Sequence, residues 1–185
     1  MKADMTPKAT YLKDYKPSPF LVTDVKLTID IDDEYTTVIS TLKVTRNSES
    51  TTTPPTKDLV LDGIALELMQ VEVDNVPLTP EQYVVTDEHL TIKNVSDNFS
   101  LSTNVRVYPE KNTSLEGLYA SKDGYFTQCE AQGFRRITYF LDRPDIMARY
   151  QTNIIAPKAR FPILLSNGNC VNMEDVGENR HSSKW

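Results

Sequence analysis

Two histidines, His89 and His181, are the only imidazoles in the chain, and they lie far apart in unrelated contexts. Zinc hydrolysis needs three protein ligands and an open position, commonly announced by paired histidines on one helical face; no His-Glu-x-x-His occurs here. Neither histidine lies in a nucleophile motif, and no Gly-x-Ser-x-Gly is present. The phosphate-cradling patterns Gly-x-x-x-x-Gly-Lys and Gly-x-Gly-x-x-Gly are missing too. Paired acids such as Asp32-Asp33 and Asp87-Glu88 read as solvated turns. Cys129 and Cys170 are too few for a disulfide framework and too isolated for a zinc knuckle, so both are expected as free thiols. What remains is binding chemistry. The stretch that stands out is the one where Gly117, Gly124 and Gly133 fall within 17 residues, which reads as a structured loop region.

The elements around that locus read as strands. Leu21, Thr23, Val25, Leu27, Ile29 and Ile31 alternate with polar residues, which predicts one half-buried strand with its odd positions on one face. Asp32-Asp33 turns the chain, and Val38, Ser40, Leu42 and Val44 resume the alternation. The Ser/Thr/Pro stretch from Asn47 to Thr56 is an expected exposed loop. Short strands follow at Leu59–Leu61, Leu68–Val73, Tyr83–Val85, Leu90–Ile92 and Phe99–Val107, with Asp74-Asn75 as a two-residue turn signal. No long helix is predicted. Gly117, Gly124 and Gly133 then punctuate a segment too apolar for a linker, with Leu115, Leu118, Tyr119, Tyr125 and Phe126; it is expected to pack on the sheet or on a neighbouring domain. Arg143-Pro144-Asp145 is expected to start a helical turn in a structural role. Tyr150–Ile155 and Pro162–Ser166 read as two further strands, with a turn at Ser166–Asn169. The fold class is therefore all-β: twisted, sandwich-like antiparallel sheets with a Gly-rich structured loop.

Size and charge agree with a single globular domain. The chain has 185 residues, 39% hydrophobic and 25% charged, long enough to bury a sizeable core. Its net charge of −6 repels phosphate backbones and anionic lipid surfaces, so neither nucleic acid nor membrane is an expected partner. Arg135, Arg136, Arg143 and Arg149 form the densest basic group and are read as structural. Without an apolar leader after Met1 or a membrane-length apolar run, a cytoplasmic location is the expectation.

The runs Asn112-Thr113-Ser114-Leu115-Glu116-Gly117-Leu118-Tyr119, Thr127-Gln128-Cys129-Glu130-Ala131-Gln132-Gly133-Phe134-Arg135-Arg136-Ile137-Thr138-Tyr139 and Phe140-Leu141-Asp142-Arg143-Pro144-Asp145 resemble the aminopeptidase N family of zinc metallopeptidases, its bacterial branch above all. The resemblance extends to Tyr11–Tyr15, to Pro162–Asn169 and to Arg180-His181 with Trp185. It implies that residues 1–185 are one N-terminal β domain, truncated at its C-terminal end, of a cytoplasmic exopeptidase whose thermolysin-like zinc domain lies outside the chain. By that resemblance Glu130 binds the free α-amine of the peptide substrate and Gln128 lines the pocket for its first side chain. Zinc would belong to the parent protein, with no metal and no catalytic residue in this chain; the partners implied are the peptide N-terminus and the catalytic domain of the same polypeptide. Met173-Glu174-Asp175 is similar to part of the Gly-x-Met-Glu-Asn signature of such enzymes, but Val171-Asn172 precede it and Asp replaces the final Asn, so it is read as chance. From residue types alone Glu130 could instead pair with Arg135 or Arg136. The rival function is a free-standing β-sandwich module that binds a ligand or protein through its aromatic loop.

Overall fold

The computed structural model describes residues 11–51, 56–122, 124–177 and 179–185. Thirteen strands order the described residues: β1 (Phe20–Ile31), β2 (Thr36–Arg46), β3 (Leu59–Asp62), β4 (Glu67–Val73), β5 (Val76–Pro77), β6 (Tyr83–Val85), β7 (His89–Ile92), β8 (Asn98–Val107), β9 (Gly117–Ser121), β10 (Gly124–Gln128), β11 (Arg149–Pro157), β12 (Asn172–Asp175) and β13 (Arg180–Lys184). Among the described residues the helices are three-residue 3-10 turns, at Leu12–Asp14, Pro80–Gln82, Pro109–Lys111 and Phe134–Arg136. No helix is long and apolar enough to cross a membrane among these residues.

Eight strands form one sheet in the order β12-β13-β11-β1-β2-β8-β4-β5; β3-β7-β6 form a second sheet, and β9 and β10 a separate hairpin. Pairing is antiparallel as expected, with one exception. β1 and β11 run parallel, Asp24 opposite Arg149 through Asp30 opposite Ile155. Such a pair needs a long crossover, and here most of the intervening chain supplies it. The Asp74-Asn75 turn adopts positive φ at both positions, 52° and 64°, the two-residue geometry that a tight hairpin between β4 and β5 favours.

The predicted single face of β1 is interrupted. Val22 pairs with Val44 and Asp24 with Lys43, leaving Thr23 as an extra residue in a bulge. Because side chains alternate with a period of two, the bulge moves the inward set from Phe20 and Val22 to Val25 and Leu27, and Leu21 is only half-buried at the edge of the core. The other long strands follow their alternation: Val38, Ser40, Leu42 and Val44 on β2, and Phe99, Leu101, Thr103, Val105 and Val107 on β8, are buried.

These side chains meet Leu59 and Leu61 of β3, Leu90 and Ile92 of β7, and Ile137, Tyr139, Phe140 and Leu141 in one buried cluster. Each fully buried aliphatic side chain contributes about 1.5–3 kcal/mol, so this sandwich is what fixes the polypeptide from Ile137 to Leu141. A backbone bridge between Asp62 and Phe140 (N···O 2.8 and 3.1 Å) ties that stretch to β3. A smaller cluster of Ile31, Ile154, Ala156, Phe161 and Leu164 receives Tyr125 of β10.

Two local expectations are corrected. Pro162–Ser166 is irregular rather than a strand: Phe161 and Leu164 are buried while Ile163 and Leu165 face outward, a spacing of three that no strand can present. Arg143-Pro144-Asp145 forms a turn rather than a helical turn, closed by the Ile146 N–H on the Arg143 carbonyl at 3.2 Å. The Arg143 guanidinium grips both oxygens of Asp145 at 2.8 and 2.7 Å and the Lys16 carbonyl at 2.9 Å, while Tyr15 donates to Asp145 at 2.9 Å, pinning the start of the chain to the turn.

Candidate functional site

Asn112 begins the segment that carries the candidate site. Its side-chain amide donates to the carbonyls of Glu116 and Leu118, both at 2.8 Å, and its Oδ1 accepts from the Ser114 N–H and hydroxyl at 3.1 and 2.6 Å. This closes the turn that delivers Gly117 to β9. Gly117 has φ +70°, and a Cβ there would stand 2.5 Å from the Arg136 Cβ, so the site needs glycine on both counts. β9 and β10 then pair from Gly117 with Gln128 to Ser121 with Gly124.

Gln128 is the last residue of β10, and Glu130 lies in the turn just beyond it; both are exposed. The Gln128 amide donates to the Glu130 carbonyl at 3.2 Å, which places the two side chains on one short, self-bonded stretch. The Glu130–Ala131 peptide is cis. The turn closes where the Gly133 N–H donates to the Cys129 carbonyl at 2.9 Å. Gly133 sits so tightly on the backbone that an added Cβ would meet the Gln128 carbonyl oxygen at 2.4 Å.

Neither arginine that follows pairs with Glu130. Arg135 is bound to Asp142 and stands 3.6 Å from Asp62, and Arg136 pairs with Glu116 at 3.3 Å. Among the described residues no hydrogen bond or ion pair reaches the Glu130 carboxylate, so a charge-assisted contact is left open to a cationic group from outside the chain. The basic cluster is neutralised throughout, since Arg143 pairs with Asp145 and Arg149 with Asp24.

The aromatic residues divide. Phe134 packs inward against Phe140 and Tyr150, with ring centroids 5.0 and 6.0 Å away. Tyr125 lies 4.9 Å from Phe161, and its hydroxyl donates to Glu110 at 2.9 Å. Phe126, 53% exposed, rests on Tyr119 across the hairpin, and Leu115 is 60% exposed. By strand alternation Phe126 and Gln128 share the outward face, whereas Thr127 and Cys129 line a cleft of about 420 Å3 with Phe134, Asp142, Tyr150 and Trp185. Burial there, with the Asp142 charge nearby, pushes the Cys129 thiol up to about 11. Cys129 and Cys170 are both free thiols.

Two groups that the residue types did not single out organise this region, Asp62 and Asp142. Their signal is weak in sequence, because Asp62 reads as half of an Asp-Gly turn and Asp142 as the start of another. Among the described residues no three His, Cys, Asp or Glu side chains gather as metal ligands. The donor set of the described residues does not fit a zinc ion. Met173-Glu174-Asp175, expected to be incidental, lies on exposed β12, where Asp175 pairs with Lys158 at 2.7 Å.

Residues 14–185 match the peptidase M1 N-terminal domain family. The chain belongs to that family. It is 42% identical over its whole length to aminopeptidase N of Caulobacter vibrioides and 40% identical over 97% of its length to aminopeptidase N of Escherichia coli, and it spans 21% and 20% of those proteins, about a fifth. The crystal structure of Legionella pneumophila aminopeptidase A in complex with aspartic acid superposes with a TM-score of 0.89 at 32% identity, covering 95% of this chain and 20% of that one. A Deinococcus radiodurans M1 zinc metallopeptidase bound to a Tyr-Ser-Ala substrate shares the fold, with a TM-score of 0.72 at 13% identity over 90% of this chain and 39% of its own. The M1 N-terminal domain fold thus accounts for the sheets and for the loop they support.

Proposed function

We propose that this M1 N-terminal domain is the substrate-recognition part of a zinc aminopeptidase, with Glu130 binding the free α-amine of a peptide and Gln128 contacting its first side chain. The observation that carries this reading is the unpaired, exposed Glu130 carboxylate on a turn closed by Gly133 and followed by two arginines committed elsewhere. An exopeptidase must measure the distance from a terminal ammonium to the bond it cuts. A carboxylate on a rigid support does so, and a misplacement of about 1 Å can cost on the order of 100-fold in rate.

The zinc would be held by another domain of the same polypeptide, where it would polarise the scissile carbonyl. This chain contributes recognition: Glu130 holds the ammonium, Gln128 presents an amide beside it, and the outward hairpin face with Phe126, Tyr119 and Leu115 meets the catalytic domain. Free thiols at Cys129 and Cys170 suit the reducing cytoplasm.

In the full-length polypeptide, Glu130→Ala is expected to lower kcat/KM on a free-amine peptide by about 2–5 kcal/mol, the usual effect of removing one partner of a desolvated charge pair. Preference for free over N-acetylated substrates should shrink with it. Full retention of that preference would sink the assignment. A free-standing binding module predicts no peptidase deficit at all.

A further inference from the structure

Between Glu130 and the core runs a short chain of contacts that ends on Asp142. This residue is 6% exposed. One carboxylate oxygen, Oδ2, accepts both the Arg135 backbone N–H at 3.1 Å and its Nε–H at 2.9 Å, and the Asp142 carbonyl accepts from Arg135 Nη2 at 3.0 Å. Asp142 is itself held, because its N–H donates to Asp62 Oδ2 at 3.1 Å, and Asp62 Oδ1 stands 3.6 Å from Arg135 Nη1. From Arg135 the restraint passes toward Glu130 through the backbone. The Arg136 N–H donates to the Gly133 carbonyl at 3.1 Å, and the Gly133 N–H donates to the Cys129 carbonyl at 2.9 Å. Gly133 meanwhile bears on the Gln128 carbonyl with no room for a Cβ.

We infer that Asp142 is a positioning residue for the substrate-amine site: acting through Arg135 and Gly133, it fixes the turn that carries Glu130. The inference rests on the amine-binding reading of Glu130. Asp142 touches no substrate. Its role follows from what would replace it: Asn keeps an oxygen for the Arg135 N–H but removes the charge facing the guanidinium, and a charge-assisted bond is roughly twice as strong as a neutral one. The turn would then sample positions displaced from the productive one, with a cost in amine recognition first.

The test uses the full-length polypeptide, with leucine and N-acetylleucine compared as competitive inhibitors and thermal unfolding followed in parallel. Asp142→Asn should weaken leucine inhibition by about 10-fold while leaving N-acetylleucine unchanged, and should lower kcat/KM on a leucine anilide by a similar factor, within the roughly 100-fold that a 1 Å displacement costs. Arg135→Lys, which keeps the backbone N–H bond to Asp142, should move the same ratio in the same direction by less, and it carries the test if Asp142→Asn does not fold. Folded variants that lower the unfolding temperature but leave the leucine to N-acetylleucine ratio unchanged would overturn the inference. Glu130→Gln separates the two layers. If it abolishes the ratio while both Asp142→Asn and Arg135→Lys leave it intact, only the role of Asp142 falls; if it leaves the ratio intact, the amine-binding reading falls and takes the inference with it.

Discussion

The eight-stranded sheet and the segment from Asn112 to Asp145 are stabilised in different ways. In the sheet, β1, β2 and β8 bury many similar apolar side chains, so the register is specified repeatedly by alternation and no one residue is decisive for the direction of the chain. In the segment, Ile137 to Leu141 share the buried core, but the turns that precede them are ordered by single-copy devices: the Asn112 amide, Gly117, Gly133 and the Arg135–Asp142 pair. Redundant packing holds the protein together, and a few specific polar contacts hold the turn that carries Gln128 and Glu130, the groups proposed to recognise substrate. Mutations should therefore divide into those that lower stability and those that misplace Glu130.

The largest stability effect is expected in the sheet. Leu101, fully buried on β8, should cost about 2–5 kcal/mol on truncation in Leu101→Ala, by transfer plus cavity; denaturant unfolding measures it, and a loss under about 1 kcal/mol would mean that the sandwich collapses around the gap. Gly133→Ala should cost less, about 1–3 kcal/mol, the range for forcing extra volume into a packed site. Its effect on amine recognition should exceed that of Leu101→Ala, because the obstructing atom is the backbone oxygen of Gln128 at 2.4 Å. Equal effects of the two variants on recognition would erase the distinction between the regions.

The smallest expected effect is electrostatic. Arg143, hydrogen-bonded to Asp145, holds its carboxyl below the usual range against a partial desolvation that opposes it, with Tyr15 adding a second bond. A depressed carboxyl stabilises the fold above its unfolded value and loses that contribution as pH falls through its folded one. The stability gap between the native chain and Asp145→Asn should thus be steady above about pH 4, the unfolded carboxyl value, and close below it. Since both partners are partly exposed, the gap should stay under about 1 kcal/mol. A gap that persisted undiminished in strong acid would mean that Asp145 acts through shape rather than charge.

The same division governs what could be read without coordinates. Alternation exposes β2 and β8 directly, and Asp74-Asn75 exposes its hairpin, because period and turn chemistry are local properties. The bulge at Thr23 is not local: it shows only when Val22 and Asp24 are paired with Val44 and Lys43. The parallel partnership of β1 with β11 is hidden for the same reason, and β12, exposed at all four positions, has no alternation to detect. The proposed roles of Gln128 and Glu130 come from motif resemblance. That of Asp142 does not, since its importance lies in a bond to Arg135 that crosses a turn and in a second carboxylate brought from β3.

The margins of the large sheet have a consequence of their own. At one end lies β5, two residues long and ending in Pro77, which has no N–H to offer a further strand. At the other lies β12, whose Glu174 and Asp175 would confront the same carboxylates in an antiparallel second copy. Both boundaries discourage growth of the sheet by strand addition, one because it lacks a donor and the other because it carries like charge.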